Sequence, residues 1–381
     1  MSEAFNGARL ETLRNLLGLT QNELGARLGL TQSLLSRIEH GHVPLSEDLA
    51  ALASQTFGEP IKFFQVPLNA VPLGPVAYRK KSTTRAAERA RISELYREAS
   101  RVFHEISAAS GYRTIAPQID RPSGDIERAA DAIRDAAGVA NDAAVRNATR
   151  MLERLGIGVI VDLDDEAQSH DRADVSGISM PTKNNERPLV ATTSIARGDV
   201  QRMTLAHELG HLVLHRDAPS ISCSIRHPQE QEAYFLGALV LAPRQVMAAR
   251  ISESATLRHF LGVKSEFGVS AGAAVVHAHR LGLISTDRYR GLQMQMQARK
   301  WKYDEPGEVA AESPKLFAQA LSRAYPTSTY ARASHELGTR PSRLHRWAHH
   351  TEGEANAVEP TKSPTNVTPL HGRSGESALR V

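Results

Sequence analysis

Apolar positions in the first sixty residues recur at helical spacing in short blocks broken by glycine, as in Leu10 to Ala53, LETLRNLLGLTQNELGARLGLTQSLLSRIEHGHVPLSEDLAALA. Thr20 is placed to cap a helix over Gln21 to Leu28, Gly29 to break it, and Thr31 to cap a second helix ending at Gly41. Leu24, Leu28, Leu34, Leu35 and Ile38 are expected to pack that pair together. Two short capped helices with a glycine turn describe a helix-turn-helix, whose second helix enters the DNA major groove. Pro67, Pro72 and Pro75 then stop the helical pattern and favour an extended linker.

Between Arg79 and Arg101 the chain is at its most basic, eight Arg and Lys against three Glu for a net of +5. Ile92, Leu95, Tyr96, Ala99, Val102, Phe103 and Ile106 keep helical spacing, so most of those charges are expected on the solvent side of an amphipathic helix. Asp125 can cap a helix ending near Gly138, and Asn141 or Asp142 another running to Leu155. Three strand-like runs follow, Gly158 to Leu163, Val175 to Met180 and Pro188 to Thr193. From Asp199 the pattern is helical to about His350, and the tail after it, rich in Pro, Ser, Thr, Gly and Glu, is expected to be disordered.

Composition narrows the class. At 381 residues the chain needs two or three cores, and the formal charge of +4 is too small to make the whole molecule a polycation. The single cysteine, Cys223, excludes an intrachain disulfide framework and an all-thiolate metal site, and it fits a reducing cytosol. No stretch reaches the ~18 apolar residues of a membrane span, and the N-terminus lacks the pattern of a signal peptide. A cytoplasmic protein without a membrane partner is expected.

Thr204 to His215 read TLAHELGHLVLH and contain His207, Glu208 and His211 in the HExxH arrangement. Histidines four apart leave a helix from one face, so their nitrogens can converge on a Zn²⁺ ion, and the intervening glutamate reaches water at the ion as general base. A catalytic zinc needs a third protein ligand. Glu232, on the edge of the apolar face of the next helix (Phe235, Leu236, Leu239, Val240), is the best candidate. Glu230 falls on the opposite side and reads as solvated. His215 is an alternative ligand, although a helix rising ~1.5 Å per residue does not easily bring three turns of histidine to one ion.

The stretch Gln201 to His215 (QRMTLAHELGHLVLH), followed by Glu232 to Pro243 (EAYFLGALVLAP), resembles the ImmA/IrrE family of zinc metallopeptidases. The resemblance implies that His207, His211 and Glu232 bind zinc, that Glu208 is catalytic, and that the fold is gluzincin-like, with a sheet edge holding substrate in extended form. Leu236 stands where the family more often has Phe. Val269 to Ile284 and Trp301 to Pro306 are similar to the long, repressor-fused members.

Thr20 to Gly41 resembles the lambda-repressor-like (XRE) DNA-binding domain. That resemblance implies that Gln32, Ser33, Ser36 and Arg37 face bases or adjacent phosphates and that Gln21 clamps the backbone. Residues 1–60 carry four Arg against seven acids, a net of minus 3, so phosphate attraction would need help from the basic window. A packing module without DNA affinity is the alternative. Leu257 to Leu283 and Tyr330 to Trp347 also read as helix pairs with a Gly turn, the second with Arg340, Arg343 and Arg346 on one helix.

The expected architecture is multidomain and mainly α: a helix-turn-helix over 1–65, a Pro-rich linker over 66–78 and a basic helical connector over 79–140. An α+β zincin-like domain with a small sheet follows over 141–250, then a helical extension over 251–350 and a tail over 351–381. The expected function is a homodimeric regulator on a palindromic DNA operator, carrying a zinc endopeptidase that cleaves a protein such as a repressor. The alternative is a regulator whose peptidase-like domain is a non-catalytic sensor or dimerisation domain.

Overall fold

The computed structural model describes residues 4–67, 77–78, 86–112, 125–164, 177–181, 185–221, 224, 226–326 and 330–348. Most of the linker, the stretch 79–85 with its four basic residues, Cys223 and the 351–381 tail expected to be disordered lie outside the described residues.

The N-terminal helices form as their caps dictate. They are α1 (Ala8–Leu16), α2 (Gln21–Leu28), α3 (Gln32–Glu39) and α4 (Glu47–Phe57), followed by a 3-10 helix at Ile61–Gln65. The Thr20 hydroxyl accepts from the Glu23 amide while Glu23 accepts from the Thr20 amide, a reciprocal capping box, and Thr31 and Ser46 cap α3 and α4. Gly29 ends α2 at φ +69°, a left-handed conformation that costs glycine little. Leu10, Leu13, Leu24, Leu28, Leu35 and Ile38 are buried together. Leu34 is not, being 36% exposed on the outer side of α3.

A four-stranded sheet runs in the order β1-β3-β4-β2, with β1 at Ala77–Tyr78, β2 at Gly158–Ile160, β3 at Gly177–Ser179 and β4 at Leu189–Thr192. The β2–β4 pair is parallel; β4–β3 and β3–β1 are antiparallel. The three long apolar runs of the sequence thus form strands, and they are apolar on both faces because both faces are covered. Val159 and Val190 join one core while Ile160, Ile178, Leu189 and Ala191 join another, the period-two alternation of a strand between two layers.

One layer is the long helix α5 (Ala86–Ala109). Its apolar stripe is buried as expected, and Glu88 and Arg97 reach solvent, but others of its charges point inward. Glu98 and Arg101 are buried, and Glu98 receives a two-pronged pair from Arg9 of α1 (2.7 and 2.9 Å) and a bond from Arg101 (3.0 Å). Arg91 is paired with Asp164 (2.5 Å) and Arg97 with Glu94 (3.3 Å). Two buried guanidinium groups flanking Glu98 hold its carboxyl far below the usual carboxylate range despite its burial. The helix is therefore a hub: its charges dock the helix-turn-helix.

The other layer is built from α6 (Ile126–Ala136), α7 (Ala148–Arg154), α8 (Gly198–Leu214), α9 (Pro228–Leu241), α10 (Arg244–Arg250), α11 (Leu257–Phe267), α12 (Ala271–Arg280) and α13 (Thr286–Ala298). One apolar core runs from α6 to α13 without a break at residue 250. Buried charges stitch it: Lys264 of α11 sits 3.1 Å from Asp199 of α8 and 2.8 Å from Glu305.

The chain returns through α14 (Leu316–Ala324), α15 (Tyr330–Leu337) and α16 (Pro341–Trp347), whose apolar residues join the N-terminal core. The arginines of the last pair are engaged within the protein. Arg340 and Arg343 lie 2.8 and 2.9 Å from buried Glu59, Arg346 2.6 Å from Asp162, and the Trp347 indole donates to the Leu163 carbonyl. Through these contacts the helix pair clasps the N-terminal domain to the sheet. No described helix is long and apolar enough to cross a membrane.

Candidate metal centre

Helix α8 is buried on every face: all its residues but Val200 are shielded from solvent. Sheet, α7 and α9 surround it, which is why its sequence lacks a clear polar side. Its contact with α9 is a seam of small residues. A Cβ on Gly210 would sit 2.6 Å from the Ala233 carbonyl oxygen, and a Cβ on Gly237 2.8 Å from the Ala206 carbonyl. Glycine lets the two backbones approach this closely. Residues at i, i+3 and i+7 share a helix face, so Ala233 and Gly237 turn Glu230 toward α8 as well.

Glu230, His207 and His211 meet at the end of this seam. The two Nε2 atoms are 3.1 Å apart, and the Glu230 carboxylate oxygens lie 3.3 Å from His207 Nε2 and 3.3 Å from His211 Nε2. Ligand atoms about 2.0–2.1 Å from a tetrahedral zinc stand about 3.3 Å from one another, so the spacing fits. All three side chains are buried, and among the described residues they form the one group of three or more metal-type ligands that converge. Burial pushes the Glu230 carboxyl up, but bonds and charge from the two imidazoles prevail and hold it at about 2. Two imidazole nitrogens and a carboxylate thus crowd one small buried space, and this His-His-Glu donor set is of the kind that suits zinc.

The expected third carboxylate, Glu232, is elsewhere. It is partly exposed and lies 3.3 Å from His215, whose Nδ1 is 3.0 Å from His211 Nδ1. Glu232 and His215 therefore stand behind His211, on the side away from the converging Nε2 atoms. The expectation placed the inward face of α9 on its large apolar residues, whereas the C-terminal half of α9 is buried all round and its α8 face carries the small ones. Glu230, read as solvated, is 4% exposed. Its three-residue offset from Ala233 was the available signal.

Glu208 lies beside the triad and is 1% exposed. Strand β3 holds it: the Ser179 hydroxyl donates to Oε2 at 2.5 Å, and a Cβ on Gly177 would fall 2.4 Å from Oε1. Ser179 and Gly177 carried no motif, and only the fold brings them to the carboxylate. A carboxylate held in this way, next to a metal-type triad and against a sheet strand, can take and return a proton at a peptide aligned along that strand.

On α3, Gln32, Ser33 and Arg37 are exposed and Ser36 is half-buried, so the residues expected to face DNA share an open surface. Gln21 is tethered: it donates to Glu39 (2.6 Å) and accepts from Gln32 (2.5 Å). Of the basic window, Arg91, Arg97 and Arg101 are each paired with a carboxylate.

Comparison with known families agrees with both halves. Residues 10–64 match the helix-turn-helix family model, and residues 152–279 match the model of the IrrE N-terminal-like domain. The second match contains the whole of α8 and α9. A comparison of the chain with curated proteins gives no match.

Proposed function

We propose that this chain, which joins an XRE-type DNA-binding helix-turn-helix domain to an ImmA/IrrE-like peptidase domain, is a transcriptional regulator that cleaves a regulatory protein with a zinc-dependent peptidase. The observation that carries the reading is the convergence of His207, His211 and Glu230 beside a strand-held Glu208. His207, His211 and Glu230 would hold the ion. Bound zinc supplies Lewis acidity, polarising a carbonyl and making water more acidic.

The chain's own groups supply the rest. Glu208 acts as general base toward water at Oε1 or Oε2 and then returns the proton to the departing amine. Ser179 donates to Glu208 and fixes its orientation. The β3 edge aligns an extended peptide by main-chain bonds, and pockets beside alternate side chains supply specificity. Burial of the three ligands and Glu208 keeps bulk water from competing for them.

For the DNA-binding half, Gln32, Ser33, Ser36 and Arg37 on α3 read a major groove, with Gln21 fixed by Glu39 to meet the backbone. Modules of this kind bind palindromes as dimers, so we assign the chain a homodimeric state on DNA.

Glu208→Gln preserves the shape of the site but removes its base. The variant should bind zinc and duplex DNA as the parent does and lose cleavage of an unstructured protein such as casein. Undiminished zinc-dependent cleavage by Glu208→Gln would overturn the mechanism. Zinc binding with DNA binding but no cleavage by the parent of any tested protein favours the alternative, in which the domain senses or dimerises.

A further inference from the structure

Strand β3 is the outermost member of the three-stranded β3-β4-β2 core of the sheet, and its residues Gly177 and Ser179 abut Glu208. Its free edge is thus the one along which an extended peptide would reach the carboxylate. That edge is occupied. Ala77 and Tyr78, which lie between the N-terminal domain and α5, pair with it as β1, Ala77 opposite Ser179 and Tyr78 opposite Ile178.

We infer that β1 is a built-in stand-in for substrate: a segment of the chain's own linker docked, antiparallel, on the peptide-binding edge and closing it until displaced. The inference rests on the reading of β3 as the peptide-aligning strand. Three observations carry it. The pairing is antiparallel, the sense that lets a peptide exchange bonds with β3 in closely spaced pairs. It is short, two residues, so only a few main-chain bonds of about 0.5–1.5 kcal/mol each hold it. It is tethered at both ends, lying in the stretch of chain that leads from the DNA-reading head to the hub helix.

Tethering sets the size of the block. A strand on a short linker competes as though present at about 1 mM. For a peptide that binds the open edge at about 100 µM, the tethered strand therefore weakens binding about tenfold. A substrate overcomes this either by tighter binding or when the linker is drawn away.

The test uses the full-length chain in a chelator, so that cleavage plays no part, and a fluorescein-labelled peptide with the sequence of residues 73–83, LGPVAYRKKST. The Ala77→Pro/Tyr78→Pro double variant removes both amide donors of β1; Ala77→Gly/Tyr78→Gly weakens the strand more gently and covers the case in which the proline variant does not fold. The opened variants should bind the peptide saturably and at least about tenfold more tightly than the parent. Exchange protection of the 177–179 amides should fall in the same variants and return when peptide is added. Equal peptide binding by parent and folded variants, or none by either variant, overturns the inference whatever the peptidase does. A binding difference without zinc-dependent casein cleavage by any variant keeps the docked strand and defeats the peptidase reading instead.

Discussion

Gly237→Ala should loosen the metal centre without touching a ligand. The added Cβ would meet the Ala206 carbonyl carbon and oxygen at 2.8 Å and the His207 amide nitrogen at 2.9 Å, all of them backbone atoms that cannot swing aside. Ordinary contact begins at 3.4 Å, so α9 must retreat from α8 by about 0.6 Å. Glu230 rides on α9 two turns away, while both histidines ride on α8. Metal–ligand distances tolerate about 0.2 Å, so the retreat has to be resisted by the bound ion or accepted as a poorer site. Overpacking of this kind costs about 1–3 kcal/mol, which at 1.4 kcal/mol per factor of ten lowers zinc affinity by about five- to a hundredfold when the bound ion has to resist it. The assay is competition for zinc against a chromophoric chelator, with circular dichroism to confirm that the helices persist. Gly262→Ala is the control: its Cβ meets nothing within 4 Å, and an alanine within α11 should raise stability by up to about 1 kcal/mol and leave zinc affinity alone. A folded Gly237→Ala protein with parental zinc affinity would refute the idea that the small-residue seam sets the geometry of the site.

Other outcomes follow from the buried charges. Glu98→Ala strands Arg9 and Arg101 in the interior and should cost about 3–5 kcal/mol in urea denaturation at pH 7. Because the folded carboxyl of Glu98 is held below its unfolded value, its contribution is complete above about pH 4.3 and is lost as pH falls through the folded value; Glu98→Gln should flatten that acid limb. Burial lowers His277 to about 4, so the folded chain keeps it neutral while the unfolded chain protonates near pH 6.5. Stability should therefore fall by about 3 kcal/mol between about pH 6.5 and 4, and less in a folded His277→Gln variant. Arg37→Ala should weaken duplex binding and reduce the salt slope by about one, measured by anisotropy across salt concentrations.

The sequence already held the N-terminal caps, the three main strands and the HELGH helix, because each is written in local spacing: Thr20 with Glu23, Gly29 at a turn, His207 with His211. What it concealed depends on which surfaces meet. Charged spacing on α5 suggested a solvated face, yet Arg9 comes from another helix to neutralise Glu98, and that pairing is invisible along the chain. Glu232 looked like the inward carboxylate because large apolar residues usually mark the core. The C-terminal half of α9 is buried all round, and its face against α8 is marked by Ala233 and Gly237. Ser179 reaches Glu208 only after β3 forms, and β1 is two residues long, too short to leave a periodic trace.

The most direct measurement is the metal content of purified protein and two single variants, Glu230→Ala and Glu232→Ala, by elemental mass spectrometry after dialysis. About one zinc per chain is expected in the parent, with retention in Glu232→Ala and loss in Glu230→Ala. Zinc kept by Glu230→Ala and lost by Glu232→Ala would contradict that expectation.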